Sequence, residues 1–537
     1  MPSLPYLSLI TFLPVLGMVL IAFLPRDSKT IRYVATGITG LQLVLAVMIW
    51  MGYNPALSGI NDPTAFQYVE KFEWIRVSGL GIFGNISIDY LMAIDGLSVL
   101  MVLLTALISF IGSIASYSVK SNEKGYYLMY LLLCTGMMGV FCALDFFLFF
   151  IFWELMLLPM YFLIGIWGGP RREYAAIKFF IYTLLGSVVM LLAMVGLYAT
   201  TSIPGAVDAA GQPTTFHTFN IIDMMNPANH QEGSIFSGLA TTWRYVGFLG
   251  LFFAFAVKIP MVPFHTWLPD AHVEAPTAIS VILASVLLKM GTYGILRICF
   301  GIFPEIALDL STWIAWFGFI NIIYGALCAM AQKDVKRLIA YSSVSHMGYV
   351  LLGISAINTQ GITGGVLQMF NHGTITAMLF LIVGVIYDRA QTRGVNEFGG
   401  LANQMPRFFG LVVIAFFASL GLPALSGFIS EAFVFMGAFQ VHQLITILST
   451  LGIVLTAAYM LWTLQRMFLG VVPEKWSTMT DINGREMVTL VPLAAIVIFL
   501  GIYPGPVINL MSSSVNALVA FVHTAGAEIV QTATTVR

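Results

Sequence analysis

Charge is scarce in this 537-residue chain: 9% of its residues are Asp, Glu, Lys or Arg, and the formal net charge is −1. So little charge excludes an ordinary water-facing surface, and the lack of a basic excess excludes bulk attraction for nucleic acid. Cysteine is scarcer still. The four, Cys134, Cys142, Cys299 and Cys328, show no CxxC or CxxCH spacing, which argues against a disulfide framework, an iron–sulfur cluster and c-type haem. The N-terminus lacks a basic segment before its first apolar run and lacks a small-residue cleavage site, so that run reads as a retained membrane helix. No repeat of about 30–45 residues is visible, which sets aside a helical solenoid.

Hydrophobic residues make up 59% of the chain and its mean hydropathy is +0.90, values of the membrane class. A crossing takes about 20 mostly apolar residues, and that window predicts an all-α membrane protein with about fourteen transmembrane helices. They fall near 6–24, 33–52, 91–116, 126–143, 145–167, 174–199, 244–271, 275–299, 310–331, 335–356, 361–387, 406–440, 442–469 and 487–512. With the N-terminus outside, 17 of the 24 Lys and Arg, Arg26 and Lys336 among them, fall in cytoplasmic loops. Lys71, Arg76, Arg244, Arg297 and Arg537 fall on the other face, leaving Lys258 and Lys289 inside the membrane. That asymmetry satisfies the positive-inside rule and puts both termini in the periplasm.

Two spans are interrupted, at Lys258-Ile259-Pro260-Met261-Val262-Pro263 and at Gly421-Leu422-Pro423-Ala424-Leu425-Ser426-Gly427. Proline removes a backbone donor and clashes with the preceding turn, so each span is expected to break mid-membrane, where a break is tolerated only if buried or lining a wet cavity. The breaks lie in spans seven and twelve. That spacing suggests two inverted five-helix repeats, as in many transporters. The segments are then 1–125 (helices 1–3), 126–300 (helices 4–8), 301–470 (helices 9–13) and 471–537 (last helix and tail).

Ionisable residues deep in a membrane cost about 2.5–3.5 kcal/mol or more each, so each needs a reason. Glu154 falls near the middle of span five and Lys258 beside the first break; they read as partners, either as a structural ion pair or as a switch. Lys289 lies mid-span, too far from the helix start to snorkel, and a lysine out of water can exchange protons near neutrality. His346 and His372, in spans ten and eleven, can pass a proton between ring nitrogens, although a buried histidine is more often only hydrogen-bonded. Glu431, just beyond the second break, closes the series. His265, Asp270, His272 and Glu274 match no zinc spacing and read as turn and capping residues.

The run from Lys258 through His272 to Lys289-Met290-Gly291-Thr292-Tyr293-Gly294 resembles the proton-translocating antiporter-like subunits of respiratory complex I, NADH:quinone oxidoreductase. So do Lys333-Asp334-Val335-Lys336-Arg337-Leu338-Ile339-Ala340-Tyr341-Ser342-Ser343 and Phe428-Ile429-Ser430-Glu431. Glutamate at 431 and a short tail fit the intermediate of three sibling types better than the largest or the smallest. The resemblance implies that Glu154, Lys258, Lys289, His346, His372 and Glu431 carry protons. It implies no cofactor in this chain, with FMN, iron–sulfur clusters and quinone in partner subunits whose redox chemistry supplies the energy. It also implies neighbouring antiporter-like subunits and lipid as partners, no nucleic acid, and a bacterial inner membrane. Subunits of multisubunit cation/proton antiporters and membrane-bound hydrogenases share the pattern and remain the alternative.

Overall fold

A computed structural model describes residues 4–25, 29–57, 59–77, 86–207, 213–231, 233–236 and 242–535. In chain order, α1 (Tyr6–Ala22) and α2 (Thr30–Gly52) lead to an antiparallel hairpin of β1 (Gln67–Val77) and β2 (Ile86–Ile94). Next come α3 (Gly96–Ala115), α4 (Glu123–Cys142), α5 (Phe146–Leu155), α6 (Leu157–Trp167) and α7 (Arg172–Thr200). A second hairpin, β3 (Ser202–Val207) with β4 (Pro213–His217), and a turn of helix, α8 (Ile221–Met224), precede α9 (Thr242–Lys258) and α10 (Trp267–Glu274). One stretch then joins α11 (Thr277–Ile282), α12 (Leu288–Gly294) and α13 (Phe300–Ile302) through π-helical turns at Leu283–Leu287 and Ile295–Cys299. The remainder is α14 (Pro304–Asp309), α15 (Ser311–Met330), α16 (Val335–Ser355), α17 (Thr359–Ala390), α18 (Leu401–Gln404), α19 (Pro406–Ser419), α20 (Ser426–Val441), α21 (Gln443–Ser449), α22 (Leu451–Phe468), α23 (Gly484–Ile502) and α24 (Gly505–Thr535).

The chain is an all-helical membrane protein apart from its two hairpins. Among the described residues, twelve helical stretches are long and apolar enough to cross a membrane, and α1, α19 and α20 are shorter apolar helices. The scarce acids and amides are spent on helix starts. Asp95, Asp145, Asp334, Asn358 and Asn483 accept from the first free amides of α3, α5, α16, α17 and α23, donors that nothing else in an apolar medium would satisfy. The stretch 277–302 and α17 are enclosed on all sides, and α16 nearly so, whereas α2 and α7 turn broad faces outward.

Two span boundaries are corrected. The third span begins at Gly96 rather than 91, because residues 86–94 pair with β1 and Asp95 caps the helix. The interval 487–512 is two helices, since Pro504 has no N–H to continue α23. Helix α24 packs along α14 and meets the starts of α3 and α17: Ser514 Oγ accepts from Gly96 N at 2.9 Å, Asn516 from Thr359 Oγ1 at 2.9 Å, and His523 Nε2 lies 2.9 Å from Ile357 O.

The loop placement of three cations is also corrected. Besides Lys258 and Lys289, Arg244, Arg297 and Lys336 are at most 5% exposed, within α9, the stretch 277–302 and α16. Arg244 pairs with Glu305 at 2.6 Å and Arg297 with Asp95 at 2.5 Å, and such partners offset part of the cost of leaving water. Arg26 and Arg537 lie outside the described residues.

Candidate functional site

The first break runs from Ile259 to Thr266, between α9 and α10. Its freed backbone groups are met by neighbours. Asn321 on α15 accepts from Val262 N at 2.8 Å and donates to Pro260 O at 3.3 Å, while Trp267 Nε1 donates to Val257 O at 2.9 Å. At the second break, Leu420–Leu425 between α19 and α20, Asn371 on α17 donates to Ser426 O at 2.8 Å. Gly421 there has φ +78°, and a Cβ at this position would fall 2.7 Å from Glu431 Oε2. A residue with a side chain would be strained and would push the carboxylate away.

Lys258 ends α9. Its Nζ is buried without a hydrogen-bond partner and lies 4.6 Å from the centre of the Trp153 ring, a cation–π distance. Glu154, beside Trp153 on α5, is half-buried, and its Oε1 has no partner. Among the described residues no nitrogen–oxygen contact within 4.0 Å joins the two, though each remains in the other's field. The expected pair is thus present as two separated groups.

The other four are in contact. Lys289, between the π-helical turns, donates to Ala284 O at 2.7 Å and meets His372 Nδ1 at 2.6 Å. A π-turn shifts the side chains that follow it around the helix axis, and such turns recur at functional positions. The His372 and His346 rings are 5.5 Å apart, and His346 Nδ1 is 3.5 Å from Glu431 Oε1. In space His372 therefore stands between Lys289 and His346. The two histidines and Glu431 line a cavity of about 10 Å³, room for about one water.

Polar residues that the sequence reading passed over complete this half. Gln368 Nε2 lies 3.4 Å from His346 Nδ1, Ser419 Oγ 3.4 Å from His346 Nε2, and Ser430 Oγ donates to Gln368 Oε1. A signal was present for Gln368, four residues before His372 on one helix face; none was present for Ser419. After the first break, Asp270 pairs with Lys178 at 2.7 Å and Glu274 accepts from Arg171 N at 2.9 Å. His265 and His272 make no capping contact: their ring nitrogens are buried without partners, and His272 stacks on Phe380 at 4.5 Å. Among the described residues no cluster of three or more His, Cys, Asp or Glu could hold a metal ion.

The chain as a whole is similar to known proteins. The family model for NADH:quinone oxidoreductase/Mrp antiporter membrane proteins matches residues 143–456, more than half of the chain. The chain belongs to that family. Within it the chain groups with subunit M: the NADH-quinone oxidoreductase subunit M of Rhodobacter capsulatus is 40% identical, over 96% of this chain and 97% of its own. A chain of respiratory complex I from Thermus thermophilus superposes with a TM-score of 0.80 at 26% identity, covering 96% of this chain and 99% of that one. A chain of the Mrp complex from a Dietzia species shares the fold, with a TM-score of 0.77 at 21% identity, over 96% and 99% of the two chains.

Proposed function

We propose that this chain is a proton-translocating membrane-arm subunit of NADH:quinone oxidoreductase, with Glu154, Lys258, Lys289, His372, His346 and Glu431 as its relay. The observation that carries the reading is the run from Lys289 through the two histidines to Glu431, with a water-sized cavity at its end. Lysine can hand a proton to imidazole, imidazole can pass it between nitrogens, and a carboxylate can release it.

Control falls to the other two residues. While Glu154 is ionised it favours the charged form of Lys258. If a neighbouring subunit draws that charge away, Lys258 gives up its proton toward Lys289. Moving one proton against 100 mV costs about 2.3 kcal/mol, and a change of two pKa units supplies about 2.7 kcal/mol. The energy comes from partner subunits that hold FMN, iron–sulfur clusters and quinone. The incomplete burial of Glu154 supports a neighbouring membrane subunit beside α5.

Fourteen crossings follow if α9–α10 and α19–α20 each count as one broken span and α24 lies across helix ends, as its contacts with Gly96, Thr359 and Ile357 support. Both termini are then periplasmic, in a bacterial inner membrane, and helices 4–8 and 9–13 form the inverted repeats. The shared fold of the Mrp chain favours one second reading, a cation/proton antiporter subunit without redox partners. Replacing Lys258 with Met in the assembled complex and measuring NADH-driven acidification of vesicles tests the relay: pumping is expected to fall while the complex still assembles. Unchanged pumping would overturn the reading. Purification without any quinone-reducing partner would favour the antiporter.

A further inference from the structure

Among the described residues, three buried cations take no part in the relay: Arg244 and Arg297 pair with carboxylates, and Lys336 faces backbone carbonyls. Lys336, the second residue of α16, is 5% exposed, and its Nζ donates to Ala275 O at 2.5 Å and Val273 O at 3.4 Å. Arg393 donates to the same Val273 oxygen at 2.6 Å and lies 3.3 Å from Asp334, the cap of α16. Backbone bonds from Val335 N to Arg393 O (3.0 Å) and from Val395 N to Lys333 O (2.9 Å) fasten these two segments together. Two cations therefore converge on the carbonyl end of α10, where unmet oxygens and the helix dipole favour positive charge.

Helix α10 has eight residues, a rod about 12 Å long. Its far end starts with the buried Trp267, whose Nε1 donates to Val257 O, the carbonyl next to Lys258. A grip on one end of this rod thus sets the backbone that carries the Lys258 ammonium at the other. We infer that Lys336 is a positioning residue for the proton path, acting through α10 and Trp267 on Lys258. The inference rests on the relay proposed above.

Two readouts on the assembled complex in vesicles test it. In Lys336→Met, amide exchange across residues 257–262 is expected to quicken and pumping per assembled complex to fall about tenfold, within the range that misplacing a reacting group produces. Lys336→Arg, which keeps the donors and the charge, is expected to restore both. Trp267→Phe removes the other anchor, so Lys336→Met with Trp267→Phe is expected to pump no worse than the poorer single variant. Unchanged exchange in Lys336→Met would overturn the clamp whatever the pumping shows. Normal pumping in Lys336→Met, losses that multiply in the double variant, or an arginine variant as impaired as methionine would overturn its role in the path. The last result would mean that the lysine exchanges protons itself. Lys258→Met in the same vesicles tests the relay separately, so failure of that reading is distinguishable from failure of this one.

Discussion

The two broken helices hold their ionisable residues in opposite ways. Around the second break, Lys289, His372, His346 and Glu431 touch in sequence, and Gln368, Ser419 and Ser430 fill the hydrogen-bonding positions beside them. Around the first, Lys258 and Glu154 stand apart, the lysine facing an indole ring and the carboxylate partly buried with Oε1 unpartnered. A buried polar group without a partner carries most of its desolvation cost uncompensated. The first half is therefore the less settled of the two, the place where a small outside influence moves the balance. In the second half Lys289 meets His372 and His346 lies near Glu431, with the two histidine rings side by side between them and His372 Nε2 unpartnered. On the relay proposed above, control and conduction would fall to different halves of one chain.

The largest effect is expected where the wiring is tightest. Lys289→Met removes the group that meets both Ala284 O and His372, and pumping per assembled complex is expected to fall about a hundredfold, the lower range for loss of an acid–base group. Vesicle acidification measures it. The contrast between the halves breaks if Lys289→Met is no worse than Glu154→Gln. A smaller effect tests whether the separated pair still communicates. Glu154→Gln and Lys258→Met, alone and together, form a double-mutant cycle, and a coupling of about 1 kcal/mol is expected for charges that sense each other without contact. Losses that simply multiply would show that Glu154 does not govern Lys258.

Much of this was legible in the sequence because the membrane makes ionisable residues conspicuous. Against so apolar a background, Lys258, Lys289 and Glu431 stood out, although a structural ion pair with Glu154 remained open for Lys258, and prolines 260, 263 and 423 marked the two breaks. Other features carried no such mark. Arg244, Arg297 and Lys336 lie within a few residues of span ends, where a long side chain normally reaches water. Only the fold shows them turned inward, onto Glu305, Asp95 and the carbonyls of α10. The strand at 86–94 is apolar enough to merge with the helix after it, and Asp95 was the overlooked cap. Spacing along the chain also could not show that His372 stands between Lys289 and His346, since that order depends on how α16 and α17 pack.

The amides that close the breaks extend the comparison to stability. Asn321 serves two backbone groups, Val262 N and Pro260 O, whereas Asn371 serves only Ser426 O and leaves its own Oδ1 unpartnered. Each stranded backbone group in an apolar site costs about 1–3 kcal/mol. Asn321→Leu is therefore expected to destabilise the purified complex more than Asn371→Leu, as a lower midpoint of thermal unfolding in detergent. Equal midpoints would show that the second break depends on its amide as much as the first does.

A different kind of effect, on pH dependence, is expected at the head of α5, the helix that carries Glu154. Asp145, outside the span, caps it by accepting from Phe147 N at 2.9 Å and Leu148 N at 3.0 Å, and has no cation within ion-pair distance among the described residues. Burial, with the charge of Asp89 adding to it, pushes its carboxyl up to about 7 from the ordinary 3.8, against the pull of those backbone donors. An acid whose folded value is raised holds its proton in the native state across that window. Stability is then fully present near pH 4 and declines as pH rises to about 7. Asp145→Asn keeps an acceptor for the helix amides and removes the ionisation, so the decline in unfolding temperature across that range is expected to flatten. A variant whose pH profile runs parallel to the parent's would show that Asp145 stays ionised, and that the head of α5 is held as firmly as any helix around the second break.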